Sequence, residues 1–149
     1  GWIVVPAGIA STVGAIHQLT VICAPSVSQR AAIFALSGGA DAACAANLDE
    51  LCRRRDRALA GLRKYTGLEA EAPEGAFYIF ARASEECRRA GGSLALCLRL
   101  IDEERVVVTP GAAFGPGGEG WLRISFANLP ETIDEGLKRL GRFLDRLRK

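Results

Sequence analysis

The sequence predicts an α/β fold, an α+β small domain in which a small β-sheet is covered by helices. This domain spans residues 46–149, and residues 1–45 read as the end of a different domain. Three observations carry this reading. Trp121 to Ala127 alternates, with Leu122, Ile124 and Phe126 on one face and Trp121, Arg123 and Ser125 on the other, as a half-buried strand must. From Glu131 to Arg148, Ile133, Leu137, Leu140, Leu144 and Leu147 repeat at helical spacing and form one apolar stripe. Between Gly75 and Thr109, short apolar runs bounded by Pro and Gly alternate with a helical pattern, which suits helices layered on a sheet.

Taken in order, Trp2–Pro6 (WIVVP) reads as a buried strand ended by proline, and it starts without a cap or polar lead, so the chain reads as cut. Residues 11–36 are compatible with helix, interrupted at Ala24-Pro25-Ser26 because proline disfavours helix in the residue before it. Ser26 or Ser28 can cap the second helix, and Ser37-Gly38-Gly39 stops it. Asp41–Tyr65 is the longest helical segment. Leu48, Leu51, Cys52, Leu59 and Leu62 lie on one face, interrupted by Arg55, and Gly67 marks the end. The domain boundary falls within this helix. Gly75–Ala81 reads as a strand. Ser93 can cap a helix whose Leu94, Cys97, Leu98 and Ile101 share a face. Arg105–Thr109 reads as a β-branched strand stopped by Pro110-Gly111, ahead of the Trp121 strand and the final helix. In that helix, Lys138, Arg139, Arg142, Arg146, Arg148 and Lys149 crowd the second half, where the helix dipole favours cations.

Composition narrows the function classes. In 149 residues, 49% are hydrophobic and 24% charged, which excludes a wholly disordered chain. The net charge of +2 gives no electrostatic ground for a nucleic-acid or anionic-membrane partner. The basic run Arg53-Arg54-Arg55-Asp56-Arg57, with Asp49 and Glu50 nearby, reads as a solvated helix face laced with ion pairs. No apolar run is long enough to span a bilayer and no basic n-region marks an export signal, so the expected location is cytoplasmic. The five cysteines (Cys23, Cys44, Cys52, Cys87, Cys97) are odd in number and lack a Cys-x-x-Cys pair. They read as small apolar fillers, with neither a zinc site nor a disulfide framework expected. His17 is the single histidine, so a metal site or Cys–His nucleophile has too few partners, and acid–base chemistry is thinly supplied.

The chemistry-bearing candidate is Arg123. An arginine inside an apolar strand is costly unless it meets an anion, and its planar fork suits a carboxylate held by two parallel hydrogen bonds. Two readings stand: a substrate-carboxylate site, or a structural ion pair for which Glu119 is the candidate partner. The glycine-rich stretch Gly115–Gly120 lacks a Gly-Lys-Ser/Thr ending and leads into a strand, so it reads as a tight connection and not as a phosphate cradle. Tyr78 reads as a core tyrosine, with a substrate-lining role as the alternative. Lys64, Lys138 and Lys149 lie on polar helix faces or ends, whereas a Schiff-base lysine has to be desolvated and held.

Read together, these motifs resemble the C-terminal part of the class I/II, fold-type I, pyridoxal-phosphate-dependent aminotransferases. The resemblance covers nearly the whole chain: Gly1–Pro6; Pro25 with Ser28-Gln29-Arg30-Ala31-Ala32; Arg53-Arg54-Arg55-Asp56; Pro73-Glu74-Gly75-Ala76-Phe77-Tyr78; Val106–Gly111 followed by Phe114-Gly115; and Gly118–Ala127. Each piece is modest alone, and six in the family's order are specific. The resemblance implies the small domain over residues 46–149 and the tail of the large, cofactor-binding domain over residues 1–45. It implies amino transfer between an amino acid and a 2-oxo acid on pyridoxal 5'-phosphate, with Arg123 clamping the substrate α-carboxylate, and a homodimer as the complete enzyme. The Schiff-base lysine, the phosphate-binding arginine and the aspartate paired with the pyridine nitrogen lie in the part of the family that precedes Gly1. These 149 residues are therefore expected to be catalytically incomplete alone, with no catalytic or cofactor-binding residue among them. The alternative is a non-catalytic module that binds a carboxylate or a partner chain.

Overall fold

The computed structural model describes residues 1–149 as two compact units, Gly1–Ala46 and Asn47–Lys149, with the junction inside one long helix. The first unit contains α1 (Ala7–Thr20), α2 (Ser26–Phe34) and a π-type turn over Ala35–Gly39. Pro25 precedes α2 as its N-cap, and neither Ser26 nor Ser28 makes a capping hydrogen bond. Gly38, at φ +86°, breaks the helical path, as the Ser-Gly-Gly stop leads one to expect. Gly1–Pro6 is not a strand. Every strand of the molecule lies between Glu69 and Ser125, so this apolar run has no ladder to join, and Trp2, Ile3 and Val4 are exposed.

In the second unit, α3 (Asp41–Thr66) leads through β1 (Glu69–Ala70) to β2 (Tyr78–Arg82), α4 (Ser84–Ala90), α5 (Ser93–Glu104), β3 (Thr109–Pro110), β4 (Trp121–Ser125) and α6 (Pro130–Arg148). The sheet is antiparallel throughout, in the order β1-β2-β4-β3. Its helices cover one face. Ile79, Ala81, Leu122 and Ile124 point into a core completed by Ala58 and Leu62 of α3, Cys87 of α4, Leu96 and Leu100 of α5, and Ile133, Leu137, Leu140, Phe143 and Leu144 of α6. The α6 stripe is buried as predicted, with Leu147 partly covered.

Several local expectations shift. On α3 the buried positions are Ala58, Gly61, Leu62 and Thr66, where Gly61 lets Leu137 of α6 approach closely, while Leu48 lies ahead of all of them and is exposed. On α5 the inward face is Ser93, Leu96, Cys97 and Leu100, and Leu94 and Leu98 point outward; an apolar residue at each of several helical offsets left the face ambiguous. Residues 105–108 form no strand. Arg105 takes the left-handed conformation that ends α5 (φ 57°), and pairing begins only at Thr109. The two-residue β1 and the charged α4 carry no apolar periodicity and were not expected.

The basic run on α3 is satisfied within the protein. Glu50 accepts from Arg53 and Arg54, Asp56 from Arg55, and Asp134 of α6 from Arg57 through two nitrogens. Arg57 holds the Asp134 carboxyl below its usual range. No single helix is long and apolar enough to cross a membrane. All five cysteines are free thiols, and burial pushes Cys87 up to about 12 and Cys97 up to about 11.

Candidate functional site

The face of the sheet away from the helices carries the side chains that alternate out of the core: Tyr78 and Phe80 from β2, Thr109 from β3, and Trp121 and Arg123 from β4. Register brings Arg123 directly between Phe80 on one side and Thr109 on the other. Arg123 is half-buried and donates from Nη2 to Thr109 Oγ1 at 3.3 Å. Its guanidinium carbon lies 4.2 Å from the centre of the Tyr78 ring and 4.6 Å from that of Phe114. Phe80 stacks on Trp121 with ring centres 5.3 Å apart and meets Phe114 edge-on at 6.2 Å. The result is one cation set in an aromatic surface.

Arg123 forms no ion pair in the protein. Glu119, its candidate structural partner, is engaged elsewhere: it accepts from the Ser93 backbone N–H and the Ser93 hydroxyl, both at 2.8 Å. Ser93 therefore does not cap its own helix; it is bridged by Glu119, which serves the start of α5 from across the fold. Tyr78 is likewise not a core residue. It lies half-buried on the open face, where its ring meets the guanidinium. Phe114 and Thr109 were not singled out from the sequence. Both fall within the Val106–Gly111 and Phe114-Gly115 stretches that carry the family resemblance, but their place beside Arg123 follows from cross-strand register and the turn after β3.

The turn that delivers Phe114 is built by glycine contacts. Gly111 and Gly118 press backbone against backbone, and a Cβ on either would run into the other's carbonyl oxygen. This closes the two 3₁₀ turns Gly111–Phe114 and Pro116–Gly118 into the tight connection expected of the glycine-rich stretch. Ser93 lowers the Glu119 carboxyl below its ordinary 4.5 by hydrogen bonding to the ionised form. A depressed carboxyl stabilises the fold above its unfolded pKa and ceases to do so as pH falls through the folded value. Glu119→Gln should therefore lower the thermal midpoint at pH 7, and the gap from the parent should close as pH drops below the ordinary 4.5; melts followed by circular dichroism across that range test this.

Residues 1–140 match the sequence model of aminotransferase class I and II. The chain belongs to this family. Valine–pyruvate aminotransferase of Mycobacterium tuberculosis is 36% identical over 146 residues, 97% of this chain and 37% of that protein. Among solved structures, an aromatic aminotransferase from Pyrococcus horikoshii OT3 matches with a TM-score of 0.83 at 33% identity, over 96% of this chain and 38% of its own. The aspartate aminotransferase of Rhizobium meliloti matches with a TM-score of 0.79 at 29% identity, over 95% and 36%. The chain spans little more than a third of the length of these aminotransferases, and the fold-type I architecture expected from the resemblance holds.

Within this family, pyridoxal phosphate is the implied cofactor, and it needs an amine for its Schiff base. Lys64 and Lys138 do not fit that role. Their ammonium groups lie 5.1 and 5.7 Å from the Tyr65 ring centre, on the helical side of the sheet, opposite the Arg123 face. Lys149 follows the end of α6, exposed. The Arg123 face carries a guanidinium and aromatic rings, and none of the three lysines lies on it.

Proposed function

We propose that residues 46–149 are the small domain of an enzyme that moves an amino group between an amino acid and a 2-oxo acid, that residues 1–45 belong to its large domain, and that Arg123 binds the substrate α-carboxylate. The observation that carries this reading is a half-buried guanidinium, held at one nitrogen by Thr109 and packed against two rings, that has no carboxylate partner in the protein. Nε and Nη1 have no protein acceptor, and Nη2 keeps a second N–H beside the one given to Thr109, so Nη2 together with Nε or with Nη1 still offers an edge to a bidentate carboxylate. Pyridoxal phosphate supplies the electron sink of the family's chemistry. The residues described here would instead hold the substrate by its carboxylate, orient its α-carbon and keep the guanidinium in place. Their amines do not serve the cofactor, so the Schiff-base lysine belongs to the other part of a homodimeric enzyme.

Arg123→Lys in the complete enzyme tests the assignment. Lysine keeps the charge and loses the planar fork, so kcat/KM for a 2-oxo acid should fall roughly 10- to 100-fold, the worth of about 1.5–3 kcal/mol for a hydrogen bond to a charged group. Unchanged kcat/KM would remove Arg123 from the substrate site.

A further inference from the structure

We propose that Tyr78 and Phe114 are positioning residues of the carboxylate clamp, fixing the plane of the Arg123 guanidinium before substrate arrives. The inference rests on the reading that Arg123 takes the substrate carboxylate.

The two rings reach Arg123 from different segments. Tyr78 stands on β2, the neighbour of β4 on one side, where it pairs with Ser125, two residues from Arg123. Phe114 stands on the 3₁₀ turn that joins β3, the neighbour on the other side, to β4. Both ring centres lie within cation–π range of the guanidinium carbon, at 4.2 and 4.6 Å. Thr109 Oγ1 adds a third constraint at Nη2. A free arginine side chain has many rotamers, and freezing them on binding weakens a complex. Here the protein has already frozen them.

A ring and a carboxylate can share one guanidinium. Aromatic rings engage a guanidinium through its faces, whereas a carboxylate engages its edge, in the plane of the N–H bonds. The two do not compete. Rings packed against the guanidinium exclude water from that side, which strengthens the charge presented to a carboxylate. Phe114 is 53% exposed, so its ring is at the surface and a change there need not disturb the core.

The test is steady-state kinetics of the holoenzyme with a 2-oxo acid. Tyr78→Leu and Phe114→Leu should each raise KM roughly 3- to 30-fold, the range from an exposed to a desolvated cation–π contact, and leave kcat within about twofold. Tyr78→Phe and Phe114→Tyr keep a ring and should stay within about twofold of the parent in both constants. A role confined to stability would not divide KM from kcat, nor be rescued by the ring. If Tyr78→Leu fails to fold, Phe114→Leu carries the test alone. Arg123→Lys is run alongside. If it raises KM while the leucine variants leave KM unchanged, the positioning role is overturned and the clamp stands. If Arg123→Lys itself leaves KM unchanged, the clamp fails and the positioning role with it.

Discussion

Gly141→Ala should lower the thermal midpoint of unfolding by roughly 15 °C, corresponding to about 3 kcal/mol in a unit of this size. Gly141 lies mid-way along α6, buried against the carboxyl end of α3. A Cβ at this position would stand 2.9 Å from the Tyr65 carbonyl carbon and closer still to the carbonyl oxygen. Both are backbone atoms, so no side-chain rotation relieves the clash; the two helices must separate. Separation opens the packing of Leu62, Leu137, Leu140 and Leu144, which hold the sheet's covered face. Alanine in place of glycine in a helix normally gains about 1 kcal/mol, so propensity opposes the effect and loses. Gly136 provides the control. It lies in the same helix with open space around its Cβ position, and Gly136→Ala should leave the midpoint unchanged or raise it. Melts of the two variants by circular dichroism decide the matter, and equal midpoints would show that the α3–α6 crossing yields more easily than the geometry allows.

The second large effect is expected at Arg148. From the last turn of α6 its guanidinium donates Nε to Glu86 Oε1 at 3.0 Å, and Nη2 to the same oxygen at 2.6 Å and to the Thr66 carbonyl at 2.9 Å. This one side chain ties α6 to α4 and to the end of α3. The Glu86 side chain is only 9% exposed, so removing the cation strands a buried carboxylate. Arg148→Met should destabilise by about 3 kcal/mol, at the low end for breaking a buried pair, since Arg148 is itself 36% exposed. Glu86→Gln combined with Arg148→Met should recover much of the loss, because the charge is then absent and the remaining amide is cheaper to bury. Denaturant unfolding of both singles and the double measures the coupling. Additive losses would mean that the pair contributes nothing beyond packing.

The sequence is legible where a local period meets a single environment. The α6 stripe and the β4 alternation each bury one face and solvate the other, so both were readable, and Gly67 stands just past α3 at φ +68° as its stop predicts. Arg123's place on the open face of β4 was readable for the same reason: it is the charged residue on an alternating strand. Its surroundings were not readable in the same way. Tyr78, Thr109 and Phe114 come from three separate segments and meet Arg123 only through strand register and a glycine-packed turn, which no local period encodes. Trp2–Pro6 failed for the opposite reason. Its pattern is that of a strand, but a strand exists only beside another. Ser93 shows a third kind of gap, where a residue with the chemistry of a cap takes a distant carboxylate in preference to its own helix.

The two outer strands of the sheet have a consequence for how the molecule behaves in a crowded solution. Each is only two residues long, and one of them ends in Pro110, which has no N–H to offer a neighbour. A sheet with one face bare and aromatic would ordinarily invite a further strand to add at its rim, and then another, as a fibre grows. Here there is too little rim to copy. The open face can stay uncovered without the domain polymerising through its edges.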